Sequence, residues 1–131
     1  MNHDMSGAAR RHLDAAEKLA NDGRRDVAGY LYSIAAECAI KAMVAGMLGR
    51  PAVPNERRKD PLYAHFPELR TMLRDQLQGR RDQPLQRIIN DDRFFNNWEI
   101  QVRYAPSREI RDEWVTMWAE QARNVVNQME T

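Results

Sequence analysis

The chain has 131 residues, 43% of them hydrophobic, with 20 basic against 19 acidic side chains and a net charge of +1. That length suits one soluble globular domain, and the balanced charge excludes a protein-wide field that would gather nucleic acid or anionic membrane. A single cysteine, Cys38, excludes an internal disulfide.

The first residues, MNHDMSGAARR, lack the apolar run of a secretory leader, so none is expected. A helix is predicted from Ser6 to Ala20, capped by Ser6 or Asp4, with a narrow apolar stripe through Ala9, Leu13, Ala16, Leu19 and Ala20. Asn21-Asp22-Gly23 breaks it, and so short a turn implies a helical hairpin.

The second helix starts near Arg25 and ends at Gly46, Gly49 and Pro51. Val27, Leu31, Ile34, Cys38, Ala42 and Ala45 form one apolar stripe, and Ala28, Tyr32, Ala36, Ala39 and Met43 a second beside it. Two stripes require cover on two sides, so this helix is the expected centre of a bundle. Cys38 reads as a small core residue. Glu37 and Lys41 fall mid-helix, which argues against a membrane span and for a cytoplasmic protein.

Residues 50–61, RPAVPNERRKDP, read as a loop with a local basic patch, Arg50, Arg57, Arg58 and Lys59, whose candidate role is phosphate contact. A third helix follows, with Pro67 in its first turn and Phe66, Leu69, Leu73 and Leu77 on one face, stopped by Gly79. A fourth segment, Pro84 to Asn90, offers Leu85, Ile88 and Ile89, and Asp91-Asp92 reads as a turn. Residues 93–106 alternate like a strand but have no pairing partner. They are expected as an extended connector pinned by Phe94, Phe95 and Trp98. Ser107 is the predicted cap of a last helix to Gln128, with Ile110, Trp114, Met117, Trp118, Val125 and Met129 inward. The fold class is an all-α, up-and-down bundle of about five helices in a single domain.

Four segments, in this order and spacing, resemble the HEPN family of small helical domains. They are AARRHLDAAEKLANDGRRD, AGYLYSIAAECAIKAM, HFPELRTML and WEIQVRYAP followed by a long helix. Many HEPN proteins are metal-independent ribonucleases or toxins that act on RNA, often as dimers. Their signature is an arginine followed four to six residues later by a histidine. Arg103 matches that arginine, but Tyr104 to Ile110 contain no histidine, so the residue that would serve as general acid or base is missing there. A second formal match, Arg58 with His65 seven positions on, lies in the loop after the second helix.

Glu37 and Lys41 stand at i and i+4, the spacing of a solvated helix pair. The sharper expectation is that Glu37 accepts hydrogen bonds from Arg103 beneath the connector, since a buried carboxylate needs such a partner. Glu37, Lys41, Arg103 and Tyr104 are the candidate ligand-binding residues, and Arg103 with His65 the candidate catalytic ones. Tyr104, Trp98, Trp114 and Trp118 read first as core, with Trp98 nearest the surface. The three histidines show no metal-ligand spacing, so neither a metal nor a cofactor is expected.

The resemblance implies a non-catalytic binding or assembly module that works as a homodimer, with RNA or a nucleotide as ligand. A nucleotidyltransferase-like or other protein partner, in a toxin–antitoxin or defence setting, belongs to that reading. The bulk of Trp114, Met117 and Trp118 near the last helix is its internal support for a dimer. The alternative is a degenerate ribonuclease that uses Arg103 with His65 or Tyr104.

Overall fold

Asp4 opens the fold by accepting the Gly7 amide on its side chain at 2.9 Å, which satisfies a donor that a helix start leaves without a partner. The computed structural model describes residues 3–48, 64–76 and 83–130. In chain order these form α1 (Met5–Asn21), α2 (Arg25–Leu48), α3 (Glu68–Gln76), α4 (Gln83–Asn90) and α5 (Asp112–Met129). Two 3-10 turns, Ile100–Tyr104 and Ser107–Glu109, lie between α4 and α5, and no strand occurs among the described residues. The all-α bundle is therefore present. Leu77, Gly79 and the basic residues Arg50, Arg57, Arg58 and Lys59 lie outside the described residues.

The break between α1 and α2 turns on Gly23, whose φ of +83° is one that residues with a Cβ rarely adopt. The resulting hairpin sets α1 against one side of α2, while α5 packs on α2 as well. From Ala35 to Lys41 every residue of α2 is buried. A run of that length spans nearly two turns, so all faces are covered at that level. Of the two predicted stripes, the one through Ala28, Tyr32, Ala36 and Ala39 faces the core. Val27 is largely exposed, and Leu31 and Ile34 are only half-buried. By length and composition Arg25–Met47 could cross a membrane, yet most of that stretch is buried inside the bundle.

The inward face of α5 keeps Trp118 and Val125 as expected, with Ile110, Trp114 and Met129 packed against the core, and departs from expectation at Met117. Val115, Trp118, Ala119, Ala122, Val125 and Val126 point into the core, whereas Met117 is exposed and Trp114 half-buried. The physical reason is close approach: Gly29 of α2 faces Trp118 so tightly that a Cβ there would sit 3.0 Å from Cζ3. Alanines at 119 and 122 let the helix settle inward around the buried Trp118, and Met117 turns outward. Arg25 ties the two helix starts together, donating to the Asp112 carbonyl at 2.9 Å and to Thr116 Oγ1 at 2.7 Å.

The segment between α4 and α5 carries 3-10 turns where an extended connector was expected. With no neighbouring strand, its backbone groups find partners three residues away, as in Val102 N–H to Glu99 O at 3.0 Å. Phe94, Phe95 and Trp98 do pin it, as the sequence implied. Phe95 stacks between Phe66 and Trp118, at 5.6 and 6.3 Å between ring centroids. Trp98, expected nearest the surface, is buried, and Tyr104, expected in the core, is 75% exposed. Phe95 and Asn97 hold left-handed backbone, at φ 49° and 66°, a conformation costly for residues with a Cβ. Two α5 side chains hold the bend: Gln121 Oε1 accepts the Phe95 amide at 2.8 Å, and Trp118 Nε1 donates to Asn96 O at 3.0 Å.

Ser107 does not cap α5. Its hydroxyl donates to Asp26 Oδ2 at 2.8 Å, while α5 begins after Arg111 without a side-chain cap. Arg70 of α3 holds the end of α4, donating to the carbonyls of Ile89 and Phe94 at 3.1 Å each and to that of Asp91. Arg74 adds Ile89 O at 2.9 Å and Asp92 at 2.8 Å. Asp91 accepts the Arg93 amide at 2.9 Å, so Asp91-Asp92 is a turn as expected.

Candidate functional site

The buried level of α2 carries two charges, Glu37 and Lys41, each with a side chain only 6% exposed. They are not a solvated pair. Lys41 Nζ donates to Glu37 Oε2 at 3.2 Å inside the bundle. The second partner of Glu37 is His65, whose Nδ1 lies 3.0 Å from both carboxylate oxygens. Arg103 was the expected partner, and the structure gives that place to His65. The residue reaches it because the chain re-enters the bundle just before α3, where Ala64 and Phe66 are buried on either side of it. The His65 carbonyl also accepts the Leu69 amide at 2.8 Å, which ties it to the start of α3.

The imidazole remains more than half exposed, at 55%. Its Nδ1–H donates to the carboxylate, the tautomer that geometry requires, so Nε2 is the nitrogen not committed to Glu37. The hydrogen bond to the Glu37 carboxylate raises the His65 pKa above 6.5 against the opposing effect of burial. The positive charges of Lys41 and Arg103 oppose that rise. Cys38, beside Glu37 in the sequence, is pushed up to about 11, first by burial and then by the Glu37 charge. It is a core thiol, as the sequence implied, and no nucleophile near neutral pH.

Arg103 stands on the 3-10 turn Ile100–Tyr104, exposed to solvent. The guanidinium carbon lies 4.8 Å from the centroid of the Tyr104 ring, and interaction with Tyr30 first holds the Arg103 pKa above its ordinary value. A guanidinium laid over an aromatic ring is oriented before any ligand arrives. Below it lies a hollow of about 340 Å³ lined by Arg103, Tyr30, Asp26, Ser107 and apolar neighbours. Asp26 there accepts from Arg24, at 3.3 Å for each of two bonds, and from Ser107 at 2.8 Å. Those bonds, Arg24 foremost, hold its carboxyl below the usual range and answer its charge.

The model of the HEPN domain family matches residues 4–131, nearly the whole chain. The chain belongs to the HEPN family. No curated protein and no solved structure matches it significantly. HEPN membership points to work on RNA or nucleotides, or to a toxin–antitoxin setting. In this HEPN domain, Glu37, Lys41 and His65 form one cluster, and Arg103 and Tyr104 pair on the turn beside α2. Sequence reasoning named all five and paired Glu37 with Lys41 correctly, but gave Glu37 the partner Arg103 where His65 stands. It missed Tyr30, which lines the same hollow as Arg103, because its position one turn before Ile34 gives no hint of that.

Proposed function

We propose that this HEPN domain binds a phosphate-bearing ligand, RNA or a nucleotide, at the site formed by His65 and Arg103. One observation carries the reading. Glu37 and Lys41 offset one another below the surface, so the solvent side of the cluster is left with a guanidinium and a histidine whose cationic form is favoured. Two such groups suit an anion, and arginine suits phosphate oxygens in particular. The domain as a whole is nearly neutral, so attraction is local and recognition depends on this site. In this reading the protein is a cytoplasmic homodimer in a toxin–antitoxin or defence-type system, beside a nucleotidyltransferase-like or other protein partner. Family membership supports that setting, and Met117 and Trp114 are the apolar groups on α5 that a second copy would cover.

The test is binding of pyrophosphate and of short RNA across a salt series. Retention by the wild type that falls with salt, and that is lost in Arg103→Ala and His65→Ala, is the expected result. Salt-independent binding, or full retention by both variants, overturns it.

A second reading, metal-independent cleavage of RNA, is favoured by the contact between Glu37 and His65. A carboxylate that fixes Nδ1–H prepares Nε2 to take a proton from a ribose 2′-hydroxyl, while Arg103 offsets charge developing on the phosphate. RNA degradation that persists in chelator and vanishes in His65→Ala supports it. Intact RNA after prolonged incubation with the wild type leaves only the binding module.

A further inference from the structure

Next to the Arg103 site, on the other side of Val102, Ala105 and Ile110, runs an open groove of about 820 Å³. The two hollows share those three residues as a wall, with Arg103 lining the smaller one and Tyr104 the larger. Tyr104 is 75% exposed, an unusual condition for a ring of that size on a protein this small. Trp98 lines the same groove and is buried, and its indole N–H finds no acceptor among the described residues. Glu99 and Glu109, also on the groove, supply acceptors.

We propose that this groove is a nucleobase subsite for single-stranded RNA, with the base stacked on Tyr104 and its adjoining phosphate at Arg103. The inference rests on the phosphate reading above. An aromatic face is sequence-tolerant and stacks any unpaired base. An amino group on the base edge, as in adenine, donates to Glu99 or Glu109. The acidic rim lies on the base side and the guanidinium on the phosphate side, the polarity of a nucleotide. The groove is open rather than enclosing, so it suits a strand that continues past the base better than a mononucleotide that must be surrounded. A duplex keeps its bases stacked and cannot offer one to Tyr104.

The experiment measures anisotropy of a labelled oligoadenylate of about eight nucleotides, within the range of single-strand site sizes, against wild type, Tyr104→Ala and Tyr104→Phe. Calorimetry with inorganic pyrophosphate runs beside it. The expected result is weakening by about 5- to 100-fold in Tyr104→Ala, the weight of one base–aromatic stack. Tyr104→Phe binds like wild type, a blunt RNA duplex binds far more weakly than the oligoadenylate, and pyrophosphate affinity is the same in all three proteins. Unchanged oligoadenylate binding by Tyr104→Ala overturns the subsite. So does a parallel fall in pyrophosphate affinity, because Tyr104 would then act only by holding Arg103. Duplex binding as tight as single-strand binding overturns it, as does a Tyr104→Ala variant that binds RNA normally but no longer self-associates, because the groove would then be a protein interface. If the wild type binds pyrophosphate but not oligoadenylate, the subsite fails alone. If it binds neither, the phosphate reading fails with it.

Discussion

Glu37 accepts His65 Nδ1 at 3.0 Å on both carboxylate oxygens, across 28 residues of chain. The contact joins the buried middle of α2 to the segment that enters α3, and it leaves an imidazole that is half in solvent and half committed to a carboxylate. Its consequences are electrostatic before they are functional.

The first is a pH dependence with a definite sign. His65 in the folded chain holds its proton above 6.5, because Glu37 favours the cation. The contribution is therefore complete below that ordinary value and is lost as pH climbs through the folded value. Comparing denaturation of wild type and His65→Gln, the wild-type advantage should be largest in mild acid and shrink towards mild alkali. The exposed ring keeps the effect small. NMR titration of the imidazole should show a raised midpoint that falls back in Glu37→Gln. An advantage that grows with pH would contradict the assignment.

Lys41→Met isolates the buried pair. Removing one member of a buried ion pair leaves the other charge without its partner, at a cost of about 3–5 kcal/mol. Here the loss should depend on pH, because protonated His65 is the remaining cation on Glu37. Urea denaturation at about pH 5.5, below the ordinary histidine value, should show a smaller loss than at about pH 8.5. Equal losses at both would mean that His65 does not respond to the Glu37 charge.

How much of this was legible follows from what periodicity carries. The burial of α2 on several sides, the two helix breaks around it and the need of Glu37 for a partner could all be read from residue spacing. The identity of that partner could not. His65 lies beyond a proline-rich stretch, and nothing in a sequence period says where the chain returns after it. Arg103 was the more familiar match to a carboxylate, yet it lies at the surface over the Tyr104 ring. Met117 was misplaced on α5 because large side chains dominate a periodic pattern, whereas Ala119, Ala122 and the opposing Gly29 decide which residues fit the inward face. Trp98 and Tyr104 exchanged their expected roles because the chain bends at left-handed Phe95 and Asn97 and then coils into a 3-10 turn, so strand-like alternation does not set which side chains face inward.

Gly29 gives the sharpest packing prediction. A Cβ there would lie 3.0 and 3.1 Å from the Trp118 ring and 3.3 Å from Val115 Cγ2. Trp118 has little room to yield, since it donates to Asn96 O and stacks on Phe95. Overpacking costs about 1–3 kcal/mol and outweighs the helix-propensity gain of about 1 kcal/mol. Gly29→Ala should therefore lose about 1 kcal/mol net. Gly46 of α2 meets nothing within 4 Å at the same position, so Gly46→Ala should gain up to about 1 kcal/mol. Melting temperatures that moved in the same direction for both would refute the close approach of α2 and α5.

Glu17 carries the last prediction, because it joins three helices. Its carboxylate accepts from Tyr32 of α2 at 2.7 Å and from Arg123 of α5 at 2.9 Å, with a second, shorter bond from the same guanidinium. The Arg123 bonds do most to hold the Glu17 pKa below 4.5, against partial burial. Tyr32, buried and donating to that carboxylate, is pushed up to about 12, by burial first, so its hydroxyl remains a donor throughout the neutral range. A depressed carboxyl stabilises above its unfolded value, and the benefit is lost as pH falls through the folded one. Glu17→Gln should thus cost about 1 kcal/mol or somewhat more at neutral pH, in the range of a hydrogen bond to a charged group. Because the group is partly exposed, that figure is at the low end for such bonds. Below the depressed folded value the variant and the wild type should converge, as both then present an uncharged side chain to Arg123. Tyr32→Phe should lose less than Glu17→Gln, because it removes one donor and leaves the Arg123 pair in place. A gap between wild type and Glu17→Gln that widened in acid would show that Glu17 is not the charged hub of this junction.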